Sequence, residues 1–160
     1  MDQAFSNDKY LRSVVIPSGV TSLSSTFNNC TRFKSVTLPS TITNIGSSTF
    51  RYCSALANIT LPSGLTNISS LAFQGCPFTT ITIPSGVTSI GSNAFDNNTN
   101  FTEMVFLGST PPALSGTRPL GATNLTFPFY VPDAAVSAYK AASGWSGYAS
   151  RVKGISERPS

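Results

Sequence analysis

Three cysteines are the side chains most suited to chemistry in this chain, and they fall at Cys30, Cys53 and Cys76, each 23 residues after the last. A zinc site is ordinarily built from four ligands with short Cys-x-x-Cys or Cys/His spacing. This chain has three cysteines and no histidine. The spacing instead suits a row of small thiols buried in a core. A disulfide between two of them is geometrically open and would leave the third over. Acid–base chemistry is equally short of parts, because the commonest general base is missing. The carboxylates are Asp2, Asp8, Asp96, Glu103, Asp133 and Glu157, and only the pairs Asp2/Asp8 and Asp96/Glu103 lie near one another in sequence. The Pro-Ser-Gly triplets belong to a repeat and do not form a phosphate loop. No catalytic residue, no metal ligand set and no cofactor is expected.

The cysteine spacing is one trace of a larger periodicity. Ile16-Pro17-Ser18-Gly19-Val20-Thr21 returns as Leu38-Pro39-Ser40-Thr41-Ile42-Thr43, Leu61-Pro62-Ser63-Gly64-Leu65-Thr66 and Ile83-Pro84-Ser85-Gly86-Val87-Thr88. A fixed period of this length marks a solenoid, in which each repeat buries its apolar side only against its neighbours. Each copy predicts a strand with apolar residues at its first, fourth and sixth positions, as in Phe33/Val36/Leu38 and Phe78/Ile81/Ile83. Proline cannot donate to a ladder and ends that strand. Val20-Thr21-Ser22-Leu23 and its copies predict a second short strand. A helical or 3-10 turn follows, with Phe27, Phe50, Phe73 or Phe95 on its inner side and, in three copies, a cysteine three residues later. Phe50 and Phe73 are therefore expected in the core.

The third and fifth positions of the first strand point outward. They give the candidate binding residues Ser13, Ser35, Thr37, Asn58, Thr60, Thr80, Thr82 and Glu103. Threonine rows are also good strand formers, so the same pattern serves as solvated sheet.

The I-P-S-x-V-T-x-I stretch, the turn Ala72-Phe73-Gln74-Gly75-Cys76 and the L-x-x-I-x-I strand together resemble the BspA-like leucine-rich repeats of bacterial surface proteins. The end of the chain is similar to the C-terminal segment of such proteins from Bacteroides-like bacteria, through Phe106-Leu107-Gly108, Thr110-Pro111-Pro112, Tyr130-Val131-Pro132, Trp145 and Tyr148. The resemblance implies a right-handed leucine-rich-repeat superhelix, mainly β with short helical or 3-10 turns. Residues 1–106 form the solenoid, about four and a half repeats starting in mid-repeat, and residues 107–160 a capping segment. Within that cap, 107–128 is expected as a covering loop. Asp133 is expected to cap a short helix running through Lys140, with Val136 and Tyr139 facing the last repeat.

Charge narrows the function. The chain carries a net +4, but charged residues are only 10% of it and none lies between Tyr52 and Phe95. Nucleic-acid binding wants a dense basic stripe with stacking aromatics, which this neutral middle lacks. No apolar run is long enough for a membrane span. The first ten residues lack the apolar stretch of a signal peptide, so the chain reads as a fragment of a longer surface or secreted protein. The resemblance implies a non-enzymatic binding or adhesion module recognising a protein partner, such as a host surface or the extracellular matrix. A structural or assembly part, phage or mobile-element encoded, is the alternative, self-associating through its N-terminal edge. A glycan-binding module comes third.

Overall fold

Repetition in the sequence becomes translation in the fold. The computed structural model describes residues 2–122 and 125–160. The chain winds so that equivalent segments of successive repeats lie side by side in parallel. The second short strands are β2 (Ser22–Leu23), β4 (Asn44–Ile45), β5 (Asn67–Ile68), β7 (Ser89–Ile90) and β9 (Ala113–Leu114). They pair in that order into one continuous five-stranded sheet. Each strand is short, and side chains reinforce the ladder across the repeats. Asn44 Nδ2 donates to Ser22 Oγ at 2.9 Å, Asn67 Nδ2 to Asn44 Oδ1, and Ser89 Oγ to Asn67 Oδ1.

The first strands form the opposite wall, and this wall is divided. Strands β1 (Ser13–Val15) and β3 (Ser35–Thr37) pair as a two-stranded sheet. Strands β6 (Thr80–Ile83), β8 (Glu103–Phe106), β10 (Phe129–Val131) and β11 (Val152–Gly154) pair as another, in that spatial order. The strand expected at Leu56–Leu61 does not form: these residues join neither sheet. Leu56 and Leu61 still point into the core. The turn leading into the strand changes length at this point, from Cys53-Ser54-Ala55-Leu56 to the shorter Cys76-Pro77-Phe78. Rungs three and four therefore enter the wall with different offsets.

At each turn two residues take up left-handed backbone four positions apart, as at Ser25 and Asn29, Ser48 and Tyr52, Leu71 and Gly75, and Asn93 and Asn97. The pair folds the chain around the phenylalanine between them. Glycine is required at the last position of the third pair, because a Cβ on Gly75 would lie 2.5 Å from the Tyr52 ring. The rings of Phe5, Phe27, Phe50, Phe73 and Phe95 form a near-parallel column with centroids 5.3–5.6 Å apart. Beside it run the three thiols, all buried and none in a disulfide. Each donates to the carbonyl of the phenylalanine one rung back, Cys30 to Phe5, Cys53 to Phe27 and Cys76 to Phe50, at 2.9–3.1 Å. Burial pushes Cys53 up to about 12 and raises Cys30 and Cys76 as well, so all three remain thiols at neutral pH.

Past Phe106 the coil goes round once more with little of the repeat's sequence. Residues 107–128, expected as a covering loop, contain β9, which pairs with β7, and lead into β10, which pairs with β8. Thr117 and Pro119 accept from Asn93 and Phe95 as a further turn would. Leu120, fully buried, stands where the next phenylalanine is due. A 3-10 turn (Asp133–Ala135) and helix α1 (Val136–Ala141) then cross the end. Asp133 does not cap this helix. Its carboxylate accepts from Ser156 N and Oγ at 3.1 and 2.9 Å, because the C-terminal segment packs beside it.

Candidate functional site

The outward rows owe their exposure to strand alternation. Ser13, Ser35, Thr37, Asn58, Thr60, Thr80 and Thr82 are all exposed, while Val14, Val36, Ile59 and Ile81 between them turn inward. Rung five departs from this. Val105, which pairs with the outward Thr82, is buried. The C-terminal turn Ile155–Glu157 packs on β10, whose Tyr130 pairs with Val105, and Arg158 reaches back to Glu103. Glu103 is thus held in a two-pronged ion pair, with Arg158 Nε 3.0 Å from Oε2 and a further contact from Nη2 to Oε1. Arg158's hydrogen bond is the largest cause that holds its carboxyl below the ordinary glutamate value. Thr80 Oγ1 donates to the same carboxylate at 3.3 Å.

The divided wall opens a cavity. Between rungs three and four lies a concave space of about 440 Å³, lined on one side by Asn58, Ile59, Thr60, Leu61 and Ser63 and on the other by Thr80, Ile81, Thr82, Pro84 and Ser85. Leu107, exposed, also lines it. Four of the candidate residues, Asn58, Thr60, Thr80 and Thr82, come together here. Ser13, Ser35 and Thr37 stand apart on the two-stranded sheet, and Glu103 stands beyond the cavity in its ion pair. The lining combines one amide, Asn58, and the hydroxyls of Thr60, Ser63, Thr80, Thr82 and Ser85 with apolar side chains, and carries no charge. It has the size of a ligand site, for which a few hundred cubic ångströms is usual. Hydroxyls with an amide among them are suited to binding by hydrogen bonding.

Sequence reasoning missed Ser63, Ser85 and Leu107, because it followed rows within the strand and these flank it. The shortened turn at Pro77, beside an asparagine in a strand position at Asn58, was the signal available.

Parallel coils, a phenylalanine column and a capped end define the class as a leucine-rich-repeat solenoid. The chain belongs to the BspA-type leucine-rich repeat family, whose repeat matches six times across residues 1–102. Among curated proteins none matches significantly. Among solved structures, a leucine-rich repeat protein from Bacteroides ovatus aligns with a TM-score of 0.65 at 24% identity, over 86% of this chain and 44% of its own. The pneumococcal vaccine antigen PcpA aligns with a TM-score of 0.66 at 21% identity, over 89% of this chain and 40% of its own. The shared feature at these identities is the fold, and the chain spans less than half of either protein. Among the described residues no helix is long and apolar enough to cross a membrane.

Proposed function

We propose that this chain is a non-enzymatic protein-binding module working at a bacterial cell surface, and that it makes contact through the outward face of its first strands around the cavity between rungs three and four. One observation carries the reading: Asn58, Thr60, Thr80 and Thr82 converge on a single uncharged concavity. Membership of a repeat family whose structural relatives include a pneumococcal antigen supports the surface setting. The test is the double change Asn58→Lys and Thr80→Lys, assayed against immobilised extracellular-matrix proteins and host cells. Loss of binding with unchanged circular dichroism and melting temperature is expected. Binding that survives intact would move the contact elsewhere on the solenoid.

A further inference from the structure

The cavity has a second property besides its lining. Strand β6 is the last strand of its sheet, and β3 the last of the other, although both lie in the middle of the solenoid. Between them, Asn58, Ile59 and Thr60 make no backbone hydrogen bond to either neighbouring rung. A free strand edge is a template for another extended chain. Most proteins keep such edges at the ends of a sheet and defend them with charge or proline. Here the edge opens into a cavity, no charged residue lies between Tyr52 and Phe95, and Pro77 and Pro84 flank β6 without interrupting it.

We propose that the gap between rungs three and four receives an extended, uncharged peptide segment, which adds as a strand to the free edge of β6. This rests on the reading of the chain as a protein-binding module and supplies the form of the ligand. Backbone-to-backbone bonds give such a complex its affinity, and pockets for alternate side chains give it selectivity. The hydroxyls of Thr80 and Thr82 border the incoming strand on its outward side. Ile59, Ile81 and Leu107 take the apolar side chains that alternate with them. Neutrality of the lining selects against acidic and basic segments, because a charge desolvated there meets no partner. Behind the gap the two rungs stay joined. The opposite wall is continuous through β5 and β7, with Asn67 paired to Ser89, so rungs three and four separate on one face only.

The experiment uses two peptides with the same side chains. The first is N-acetylated and C-amidated, alternates threonine and valine, and is about seven residues long, a usual strand length. The second carries an N-methyl group on every backbone amide, which removes its donors on both edges and leaves its side chains in place. Titration into the isotope-labelled chain, followed by amide shifts and hydrogen exchange, locates and ranks binding. The first peptide is expected to shift Asn58–Thr60 and Thr80–Ile83 and to slow exchange at Thr80–Ile83. The methylated peptide should bind at least about tenfold more weakly, the loss of one or two backbone bonds. Equal binding of both peptides at the gap would overturn strand addition and leave the binding surface standing. No shift with either peptide, or full protection of the Thr80–Ile83 and Asn58–Thr60 amides in the free chain, would overturn the inference outright. The lysine variants then test the binding reading separately.

Discussion

The phenylalanine column and the C-terminal cap are both aromatic, but they pack differently. In the column, neighbouring rings lie within 3–15° of parallel. In the cap, Trp145 meets Phe106, Phe129, Tyr139 and Tyr148 at 73–87°, edge to face. Translation explains the first arrangement: each rung repeats the last, so each ring presents the same face to its copy. In the cap no ring faces a copy of itself, and the rings meet edge-on, which the ring quadrupole also favours. The cap must do something the column never does. The last coil has carbonyls with no following rung to donate to them. Tyr139 Oη donates to Gly108 O, Trp145 Nε1 to Pro112 O, Tyr148 Oη to Gly121 O and Arg151 Nε to Phe127 O, all at 2.8–3.0 Å. Four side chains stand in for the missing strand. Arg151 does this while buried between the Phe127 and Phe129 rings, 4.1 Å from each, and burial pulls it down to about 10, still charged at neutral pH.

If that contrast is right, one large substitution in each region should differ in cost. Trp145→Ala removes a fully buried ring and also strands the Pro112 carbonyl. The cavity costs about 3–5 kcal/mol and the orphaned acceptor about 1–3 more. The variant is expected to unfold the cap or the whole chain in urea at ambient temperature. Phe73→Ala removes a fully buried ring from the column and strands nothing polar, so about 3–5 kcal/mol is expected from chemical unfolding. A Phe73→Ala cost equal to or above that of Trp145→Ala would mean that the cap is decoration on a self-sufficient stack.

The same contrast explains what was legible in the sequence. The phenylalanine column, the thiol row and the outward threonines were legible because each recurs at one position, and a solenoid stacks equal positions. The coil from Leu107 to Val131 was not. Its strand β9 is only Ala113–Leu114, and Pro119-Leu120 replaces the phenylalanine turn, so only the pairing reveals the repeat. The candidate site was half legible. Alternation pointed Asn58, Thr60, Thr80 and Thr82 outward, but a cavity is a distance between two rungs. Leu56–Leu61 meets every local requirement of a strand and still lacks partners, because pairing depends on how the next turn is cut.

One position in the column departs from the repeat and can be repaired. Asn98 lies three residues after Phe95, where earlier rungs carry cysteine after phenylalanine. It is buried, and neither its Nδ2 nor its Oδ1 has a partner. A buried, unsatisfied amide costs about 1–3 kcal/mol. Asn98→Cys extends the thiol row and removes that penalty, so the variant should be about 1–2 kcal/mol more stable, allowing for the lost volume. Chemical unfolding with reductant present measures it. A destabilised variant would show that the amide has a use that a thiol cannot fill.

The smallest expected effect lies where the cap reaches over the outward row. Glu103 and Arg158 are joined at the surface, with the Arg158 side chain 43% exposed. An exposed pair contributes at most about 1 kcal/mol, and less in salt. The sign follows from the direction of the shift. Glu103 is lowered in the folded chain, so it binds its proton less readily folded than unfolded. Its contribution is complete above the ordinary glutamate value of about 4.3 and is lost as pH falls through the lower folded value. Glu103→Gln should therefore lower the melting temperature slightly at pH 7 and leave it unchanged well below the folded pKa, where the wild-type carboxyl is protonated too. The variant also frees Arg158 from the row. If binding at the cavity depends on Glu103, the change would weaken it without any matching loss of stability. If the ion pair only fastens the cap, stability moves by at most about 1 kcal/mol and binding does not move at all.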